Sequence, residues 1–295
     1  MIKSGRVLVL GANGLIGAHI LKADPMGYQV IGSTRRANAS VVINLENLEQ
    51  IPEMLNRVKP NSIINCAGIT SIHAAMENPI LTNVVNVDAV KVIAEWSSQN
   101  SARLIQFSTD FVYDGSKEFY YESDPANPLS IYGKSKLQSE KAALEANANS
   151  VVIRTSLVYG YVNELSRLNF PLFIISKLRK GERLDITSDQ FRSPTYAGDI
   201  AHAVLKLIES DYTGILHLSG PTRRSVYEFA LEVCKAFDLD PNLLTPVRTQ
   251  PTTEGNCQRP LSTGLRIEKA KSIINYQSID ISSGLKHLEP YAQSI

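Results

Sequence analysis

Cysteine is scarce in this sequence, and neither long apolar runs nor an excess of one charge is present. The 295 residues include three cysteines, Cys66, Cys234 and Cys257, which lie far apart and form no Cys-x-x-Cys motif. This usage is typical of a reduced, cytoplasmic protein. No apolar run reaches the roughly 18 residues of a membrane helix, and no His, Cys and carboxylate cluster has metal-ligand spacing. We therefore expect neither a membrane segment nor a metal site.

The balance of charge argues against a second group of functions. The 30 basic and 29 acidic residues leave a formal net charge of +1, and the sequence contains no basic stripe. Nucleic acid and anionic membranes are therefore not expected as main partners. The hydrophobic content of 43% and the charged content of 20% are ordinary for a globular protein.

Short apolar runs alternate with helical patterns through the first half of the chain. This alternation predicts right-handed βαβ units and an α/β fold, a doubly wound parallel sheet covered on both faces. The predicted strands are 6–10, 29–33, 62–67, 103–108, 151–155 and 214–218. The predicted helices are 15–23, 48–58, 83–98, 132–146, 168–180, 198–209 and 226–237, and a loop is expected over 241–260.

The same pattern predicts how the chain is divided. We expect a dinucleotide-binding domain over residues 1–157, to which residues 196–219 return. Residues 158–295 are less regular, and we expect them to form mainly a smaller, mostly helical substrate-binding lobe. That lobe would lie over the carboxyl edge of the sheet, where ligands bind in open α/β folds.

A glycine-rich turn follows the first predicted strand and opens the first predicted helix. Glycines in this position permit a tight turn, a close approach of the backbone to a pyrophosphate, and close packing of helix on strand. The spacing is Gly-x-x-Gly-x-x-Gly rather than the common Gly-x-Gly-x-x-Gly. A plain turn is the alternative, but the flanking strand and helix favour a Rossmann-type cofactor site. Its candidate residues are Gly11, Asn13, Gly14, Leu15, Ile16 and Gly17.

Two arginines stand where the second strand ends. An acidic residue there would favour NAD, whereas Arg35 and Arg36 offer donors to the 2′-phosphate of NADP(H). We therefore expect NADPH, with Arg35 the stronger candidate and NADH still possible; the alternative is two solvated surface arginines. Further cofactor candidates are Asn44 and Leu45, beside the adenine, and Cys66, Ala67 and Gly68, whose small size suits a close backbone approach or simply tight packing.

A tyrosine and a lysine four residues apart are the strongest catalytic candidates. Tyr132 and Lys136 lie on one face of a helix expected to begin near Ser130, and the lysine charge would lower the tyrosine pKa from about 10. Such a phenol can donate a proton to a carbonyl that is being reduced. An ordinary surface pair is the alternative. A second Tyr-x-x-x-Lys match, Tyr113 with Lys117, contains a turn signal and is interpreted as chance.

Two residues with hydroxyl groups end the strand that precedes this helix. Ser108 and Thr109 end the strand, and a hydroxyl in that position faces the ligand crevice and can polarise a substrate carbonyl. A capping or turn hydroxyl is the alternative.

Together these residues resemble the extended short-chain dehydrogenase/reductase family, and within it the dTDP-4-dehydrorhamnose reductases and related nucleotide-sugar 4-ketoreductases. The resemblance covers nearly the whole chain. Its segments are 11–17, 107–115, 132–136 with Glu140, 154–160, 189–195 and Arg259-Pro260.

The resemblance implies a function for each part of the site. Tyr132 would protonate the 4-keto oxygen of a nucleotide-activated 4-keto-6-deoxyhexose, Lys136 would hold the nicotinamide ribose, and Thr109 would bond the same oxygen. Hydride would pass from NADPH to C4 of the sugar. The nucleotide-sugar is the expected partner, and a homodimer is possible. The expected substrate-binding residues are Thr70, Ser108, Thr109, Asp110, Leu157, Arg192 and Arg259.

Three departures from the family pattern leave the sugar undetermined. Leu157 replaces a tryptophan, residues 73–76 (His-Ala-Ala-Met) replace a charged segment, and Arg192 stands where glycine is usual. Arg192 is interpreted either as a contact to a diphosphate or sugar carboxylate, or as a solvated residue.

Several other functions remain as alternatives. Nucleotide-sugar dehydratases carry an Asp-Glu pair where this chain has Asp110 followed by Phe111, so dehydration is disfavoured. Epimerases retain NAD, which Arg35 and Arg36 argue against. A non-catalytic NADP-binding regulatory subunit, resembling the beta subunit of methionine adenosyltransferase, is the alternative from another class.

Overall fold

A parallel sheet of seven strands forms the centre of the molecule. The computed structural model describes residues 5–23, 27–35, 41–163, 168–250 and 258–294. The sheet strands are β1 (Gly5–Leu10), β2 (Tyr28–Thr34), β3 (Val41–Val42), β4 (Ser62–Asn65), β5 (Arg103–Thr109), β6 (Ser150–Thr155) and β7 (Gly214–His217). Their order is β7-β6-β5-β4-β1-β2-β3, and every neighbouring pair is parallel. The α/β fold class predicted above is confirmed.

The apolar runs of the central strands explain why the sheet is covered on both faces. Side chains alternate between the faces of a strand, and those of β1 divide accordingly between two core clusters. Val7 and Val9 pack in one cluster, and Leu8 and Leu10 pack in the other. Every residue of β4, β5 and β6 is buried, as expected for parallel strands between two helical layers.

Helices connect the strands and form the two outer layers. They are α1 (Leu15–Lys22), α2 (Gln50–Val58), α3 (Ile72–Glu77), α4 (Pro79–Asn83), α5 (Ala89–Gln99), α6 (Ile131–Ala146), α7 (Phe170–Leu178), α8 (Ala197–Glu209), α9 (Val226–Ala236), α10 (Glu268–Ile274), α11 (Ile281–Lys286) and α12 (Glu289–Ser294). A turn of π-helix, Val84–Asp88, joins α4 to α5. No helix in the described ranges is both long and apolar enough to span a membrane.

The C-terminal half contributes to the sheet and also builds a core of its own. The strand β7 pairs with β6, and α8 packs through Ile200 and Val204 in the core cluster that also holds Val7 and Val9. A separate apolar cluster joins α7, α9 and α11. The division of the chain into two domains stays a prediction.

The longest elements follow the predicted bounds closely, whereas several short ones were not predicted. The range 83–98, predicted as one helix, begins with the π-helical turn Val84–Asp88 and continues as α5. The edge strand β3 and the helices α3, α4 and α10 to α12 had no prediction. The loop predicted over 241–260 is wrong in part, because Leu244–Val247 forms a strand paired with Leu184–Thr187. Residues 251–257 of that loop lie outside the described ranges.

The central position of β4 leads to a stability prediction. Ile63 is 0% exposed, whereas Ile80 on α4 is 80% exposed. We expect Ile63→Ala to lower the free energy of unfolding by about 2–5 kcal/mol, through lost transfer energy and an unfilled cavity. The matched substitution Ile80→Ala should change it by less than about 0.5 kcal/mol. Urea unfolding would measure both, and equal effects would contradict the placement of β4 in the core.

Candidate active site

The glycine-rich loop after β1 is shaped by contacts that no larger residue would permit. Gly11 has φ +77°, and a Cβ there would lie 2.9 Å from the amide nitrogen of Ala67. A Cβ on Gly17 would overlap the carbonyl oxygen of Gly11. Gly14 is the N-cap of α1, so no side chain covers the first turn of the helix. These features fit a pyrophosphate at the amino end of α1, where unsatisfied amides favour an anion.

The arginine at the end of β2 is exposed. The Arg35 side chain is 76% exposed and forms an ion pair of 3.2 Å with Glu46. The Asn44 side chain accepts a hydrogen bond of 3.2 Å from the Glu46 amide, and Leu45 is buried. A surface ion pair of this kind contributes little to stability, so Arg35 can turn to another anion at small cost. Arg36 lies outside the described residues.

The segment after β4 approaches the glycine-rich loop closely. The Cys66 amide donates to the Leu10 carbonyl over 3.0 Å, and the Ala67 amide donates to the Asn65 side chain over 3.1 Å. Gly68 is exposed, and a Cβ there would lie 2.9 Å from the Asn86 side-chain oxygen. The ends of β1 and β4 therefore meet where the strand order reverses, which is the usual ligand position in this architecture.

Asn86 was missed by the sequence analysis, although its hydrogen bonds connect the segment after β4 to α6. It is 1% exposed and lies in the π-helical turn before α5. Its side chain accepts from the Ile69 amide over 2.8 Å and donates to the Ile69 carbonyl and to Ser135, each over 3.0 Å. An asparagine within a run of valines was the available signal, since buried polar groups are almost always hydrogen-bonded.

Tyr132 lies in the first turn of α6 and is 9% exposed. The helix begins as predicted, because the Ser130 hydroxyl accepts a hydrogen bond of 3.1 Å from the Gly133 amide. The Tyr132 ring packs against α3 through Ile72. It also meets the Phe111 ring edge to face, with a centroid separation of 6.1 Å. The alternative of an ordinary surface pair is therefore wrong.

Lys136 lies one turn further along α6 and is 6% exposed. Burial lowers the pKa of its ammonium group from 10.5 to about 8, and the nearby Glu140 carboxylate opposes this shift. Burial also raises the pKa of the Cys66 thiol, which the charge of Lys136 opposes. The ammonium group is thus buried near the carboxyl end of β4, and its charge responds to pH near neutrality.

A buried ion pair connects α6 to the two strands behind it. Glu140 and Arg154 are 2% and 3% exposed, and they meet through two hydrogen bonds of 2.9 and 2.6 Å. The Ser108 hydroxyl donates to the same carboxylate over 2.5 Å. Arg154 also donates to the Tyr113 hydroxyl over 2.7 Å, and that hydroxyl lies 2.9 Å from His217 Nε2.

This network explains the second Tyr-x-x-x-Lys match. Tyr113 is 0% exposed and belongs to the buried network, whereas Lys117 forms an ion pair of 2.7 Å with Asp124. Neither residue lies in a helix. Burial lowers the pKa of His217 to about 3, so the imidazole is neutral. The interpretation of Tyr113 and Lys117 as a chance match agrees with this structure.

A second buried network surrounds Thr109 and Asp110. The Thr109 hydroxyl donates to the Asp110 carboxylate over 3.1 Å and accepts from the Phe111 amide over 3.2 Å. Asp110 also accepts hydrogen bonds from Ser156, over 2.7 Å, and from Thr263. Burial raises the pKa of this carboxyl group, and the Arg192 guanidinium opposes the shift.

Arg192 is part of this second network. It is 3% exposed, so its interpretation as a solvated residue is wrong. Its guanidinium lies 3.8 Å from the Asp110 carboxylate and 5.0 Å from the centre of the Phe111 ring. It donates to the carbonyls of Phe191 and Pro260 over 2.7 and 2.8 Å.

The remaining candidate residues differ in exposure. Thr70 and Arg259 are exposed, whereas Leu157 is half-buried and has a left-handed φ of +39°, which is rare for leucine. Ser108, Asp110 and Arg192 are buried and bonded to protein groups, and their prediction as substrate contacts stays a prediction. No group of three potential metal ligands occurs among the residues that the structure describes.

Comparison with known proteins gives this arrangement a family. The family model described as the RmlD substrate binding domain matches residues 5–290. The chain belongs to this family.

Several known proteins and solved structures are similar to this chain over nearly its whole length. A dTDP-4-dehydrorhamnose reductase of Aggregatibacter actinomycetemcomitans is 29% identical over 98% of this chain and 99% of its own. The methionine adenosyltransferase 2 subunit beta of Mus musculus is 29% identical, over 97% and 87%. The crystal structure of dTDP-4-dehydrorhamnose reductase from Bacillus anthracis in complex with NADP has a TM-score of 0.88 and 26% identity, over 98% and 99%.

The buried ammonium group of Lys136 should make stability depend on pH. Because its folded pKa of about 8 lies below the unfolded value of 10.5, the unfolded chain binds more protons between these values, and stability rises with pH there. We expect the unfolding free energy of the wild type, relative to Lys136→Met, to increase by at most about 3 kcal/mol from pH 8 to pH 10.5. Urea unfolding across that range measures it.

The control for this experiment lies on the same helix. Lys134 is exposed, so the difference between wild type and Lys134→Met should stay constant with pH. A constant difference for Lys136→Met as well would show that the ammonium group is not desolvated.

Proposed function

We propose that this protein is an NADPH-dependent reductase of the 4-keto group of a nucleotide-activated 4-keto-6-deoxyhexose. The observation that carries the proposal is the buried Tyr132–Lys136 pair on α6, at the carboxyl edge of a sheet whose first helix has an uncovered amino end. Membership of the RmlD family and the likeness to a dTDP-4-dehydrorhamnose reductase structure in complex with NADP support it.

The cofactor would be held by residues that follow four strands of the sheet, β1 to β4. The amides of the loop from Gly11 to Gly17 would bind the pyrophosphate, and Arg35 would bind the 2′-phosphate. Asn44 and Leu45 would flank the adenine, and Cys66, Ala67 and Gly68 would pass beneath the dinucleotide. When bound, NADPH supplies the hydride.

The chain's own residues supply the proton and its control. Tyr132 donates a proton to the keto oxygen as negative charge develops there, and the cation of Lys136 favours the ionised phenol that remains. Thr109 donates a hydrogen bond to the same oxygen. Since its hydroxyl donates to Asp110 in this structure, that contact requires the hydroxyl to exchange Asp110 for the substrate.

A regulatory function is the second candidate. The methionine adenosyltransferase 2 subunit beta is as similar to this chain as the rhamnose reductase is. Similarity at this level therefore does not separate a reductase from a subunit of a methionine adenosyltransferase. Under this alternative the protein binds NADPH but does not oxidise it with any nucleotide-sugar, and it alters the kinetics of a methionine adenosyltransferase catalytic subunit.

Turnover of a nucleotide-sugar separates the two functions. We expect oxidation of NADPH, followed by loss of the nicotinamide absorbance, with at least one member of a panel of dTDP-, UDP- and GDP-linked 4-keto-6-deoxyhexoses. Tight NADPH binding with no oxidation by any member would exclude the reductase function and leave the regulatory one.

The Tyr132 assignment has its own test in the same assay. Tyr132→Phe removes the proton donor while keeping the ring that packs on Phe111, so kcat should fall by about 100-fold or more. NADPH binding, measured by fluorescence titration, should be unchanged. Tyr121→Phe is the control because Tyr121 is 54% exposed, and it should have wild-type activity. Full activity of Tyr132→Phe would remove Tyr132 from the reaction.

Arg35 should determine the choice between NADPH and NADH. Loss of a hydrogen-bonded pair with the 2′-phosphate in Arg35→Ala should raise the NADPH dissociation constant about tenfold. The NADH dissociation constant should stay the same. Arg57→Ala changes another exposed arginine, at the end of α2, and should affect neither. An equal increase of the NADPH and NADH dissociation constants in Arg35→Ala would contradict the assignment of Arg35 to the 2′-phosphate.

A further inference from the structure

We propose that Arg192 is a positioning residue for the reaction. It holds Thr109 in place through Asp110, and it holds Tyr132 in place through Phe111. The inference rests on the proposed function, because it assigns to Arg192 the task of supporting two groups of that site. Arg192 itself is not a catalytic residue in this proposal, since its guanidinium is buried among protein groups.

The first step is the position of the guanidinium. The Arg192 side chain is 4% exposed and is held in place by hydrogen bonds to the Phe191 and Pro260 carbonyls. These acceptors are backbone atoms of two segments that run side by side, since the Phe191 amide donates to the Leu261 carbonyl. A planar guanidinium fixed at two nitrogens has little freedom to rotate.

The second step leads from Arg192 to Thr109. The guanidinium lies 3.8 Å from the Asp110 carboxylate, and the Thr109 hydroxyl donates to the other oxygen of that carboxylate over 3.1 Å. The charge of Arg192 stabilises the ionised carboxylate in a buried position, where an unpaired charge would be costly. The Asp110 carboxylate, held beside Arg192, in turn accepts from the Thr109 hydroxyl, so the place of the Thr109 side chain before substrate binds depends on Arg192. When substrate binds, the hydroxyl exchanges the carboxylate for the keto oxygen from that place.

The third step leads from Arg192 to Tyr132. The guanidinium carbon lies 5.0 Å from the centre of the Phe111 ring, within the range of a cation–π contact. The Phe111 ring meets the Tyr132 ring at 70°, with centroids 6.1 Å apart. The Phe111 ring therefore lies between the Arg192 guanidinium and the Tyr132 ring. A change in the guanidinium would shift the Phe111 ring, and with it the Tyr132 phenol.

Lysine in place of arginine separates charge from position. Arg192→Lys keeps a cation beside Asp110, but an ammonium group lacks the planar fork that bonds two carbonyls and the flat face that stacks on Phe111. We expect kcat to fall about 10- to 100-fold, as small displacements of reacting groups produce. The KM for NADPH should be unchanged. The solvent deuterium isotope effect on kcat should increase, because proton donation becomes slower.

Arg224 offers a matched control for this substitution. The two-residue strand Phe191–Arg192 pairs antiparallel with Arg224–Ser225, which places Arg224 directly opposite Arg192. The Arg224 guanidinium, however, pairs with Glu232 over 2.8 Å, and its side chain is 40% exposed. Arg224→Lys should leave kcat and the isotope effect at wild-type values. Wild-type kcat and isotope effect in folded Arg192→Lys would overturn the proposal.

A second variant covers the case in which Arg192→Lys fails to fold. Arg192→Met combined with Asp110→Asn removes both charges, so no buried carboxylate is left unpaired. We expect this double variant to fold and to show the same reduced kcat and increased isotope effect, because the guanidinium that packs on the Phe111 ring is lost. Wild-type values of both in the double variant would equally overturn the proposal.

A measurement without substrate keeps this inference distinct from the proposed function. With tyrosines labelled at Cζ, the signal of Tyr132 is assigned by its loss in Tyr132→Phe. Its chemical shift should change in Arg192→Lys and stay unchanged in Arg224→Lys. If the wild type reduces no sugar, the proposed function fails, while the shift still reports whether Arg192 positions Tyr132. An unchanged shift in Arg192→Lys would sink the positioning.

Discussion

The buried ion pair between Glu140 and Arg154 is the constraint on which the rest of the site depends. Two charges that are 2% and 3% exposed have lost nearly all their hydration, and the loss is offset only when geometry and hydrogen bonding are good. Here the contact is bidentate. Because Glu140 belongs to α6 and Arg154 to β6, this requirement sets where α6 lies against the sheet, and with it the position of Tyr132.

The parallel sheet could be predicted because its signals are local. Continuous apolar runs, the glycine-rich turn and the Ser130 cap each depend on a few neighbouring residues, and the structure has them nearly where the pattern indicated. The elements without a prediction are short. The edge strand Val41–Val42 and the helix Pro79–Asn83 contain too few residues for periodicity to emerge. Their formation depends on tertiary contacts instead.

For the candidate site, the sequence indicated which residues to consider, but it did not indicate their partners, and the assignment of those residues to a site stays a prediction. Tyr132 and Lys136 follow from their spacing at a helix start. The strand end indicates Ser108 or Thr109, and the family resemblance favours Thr109. No local pattern indicates that Asn86 bonds Ser135, or that Arg192 reaches Asp110, because these pairs are 49 and 82 positions apart in the chain. A side chain's solvation depends on such distant contacts, and for this reason a solvated Arg192 was a reasonable alternative before the fold was known.

The two buried networks together explain the state of Lys136. Arg154 and Ser108 take up both oxygens of Glu140, the carboxylate one turn along α6 from Lys136. Asp110 is likewise surrounded by hydroxyls and by Arg192. Within the described part of the chain, Lys136 consequently forms no ion pair of its own, although it is buried. Burial lowers its pKa, and the nearby Glu140 carboxylate opposes that shift without cancelling it. In a buried site the charge of a cation acts strongly on nearby groups, and a positive charge close by is what a phenol needs to give up a proton near neutral pH.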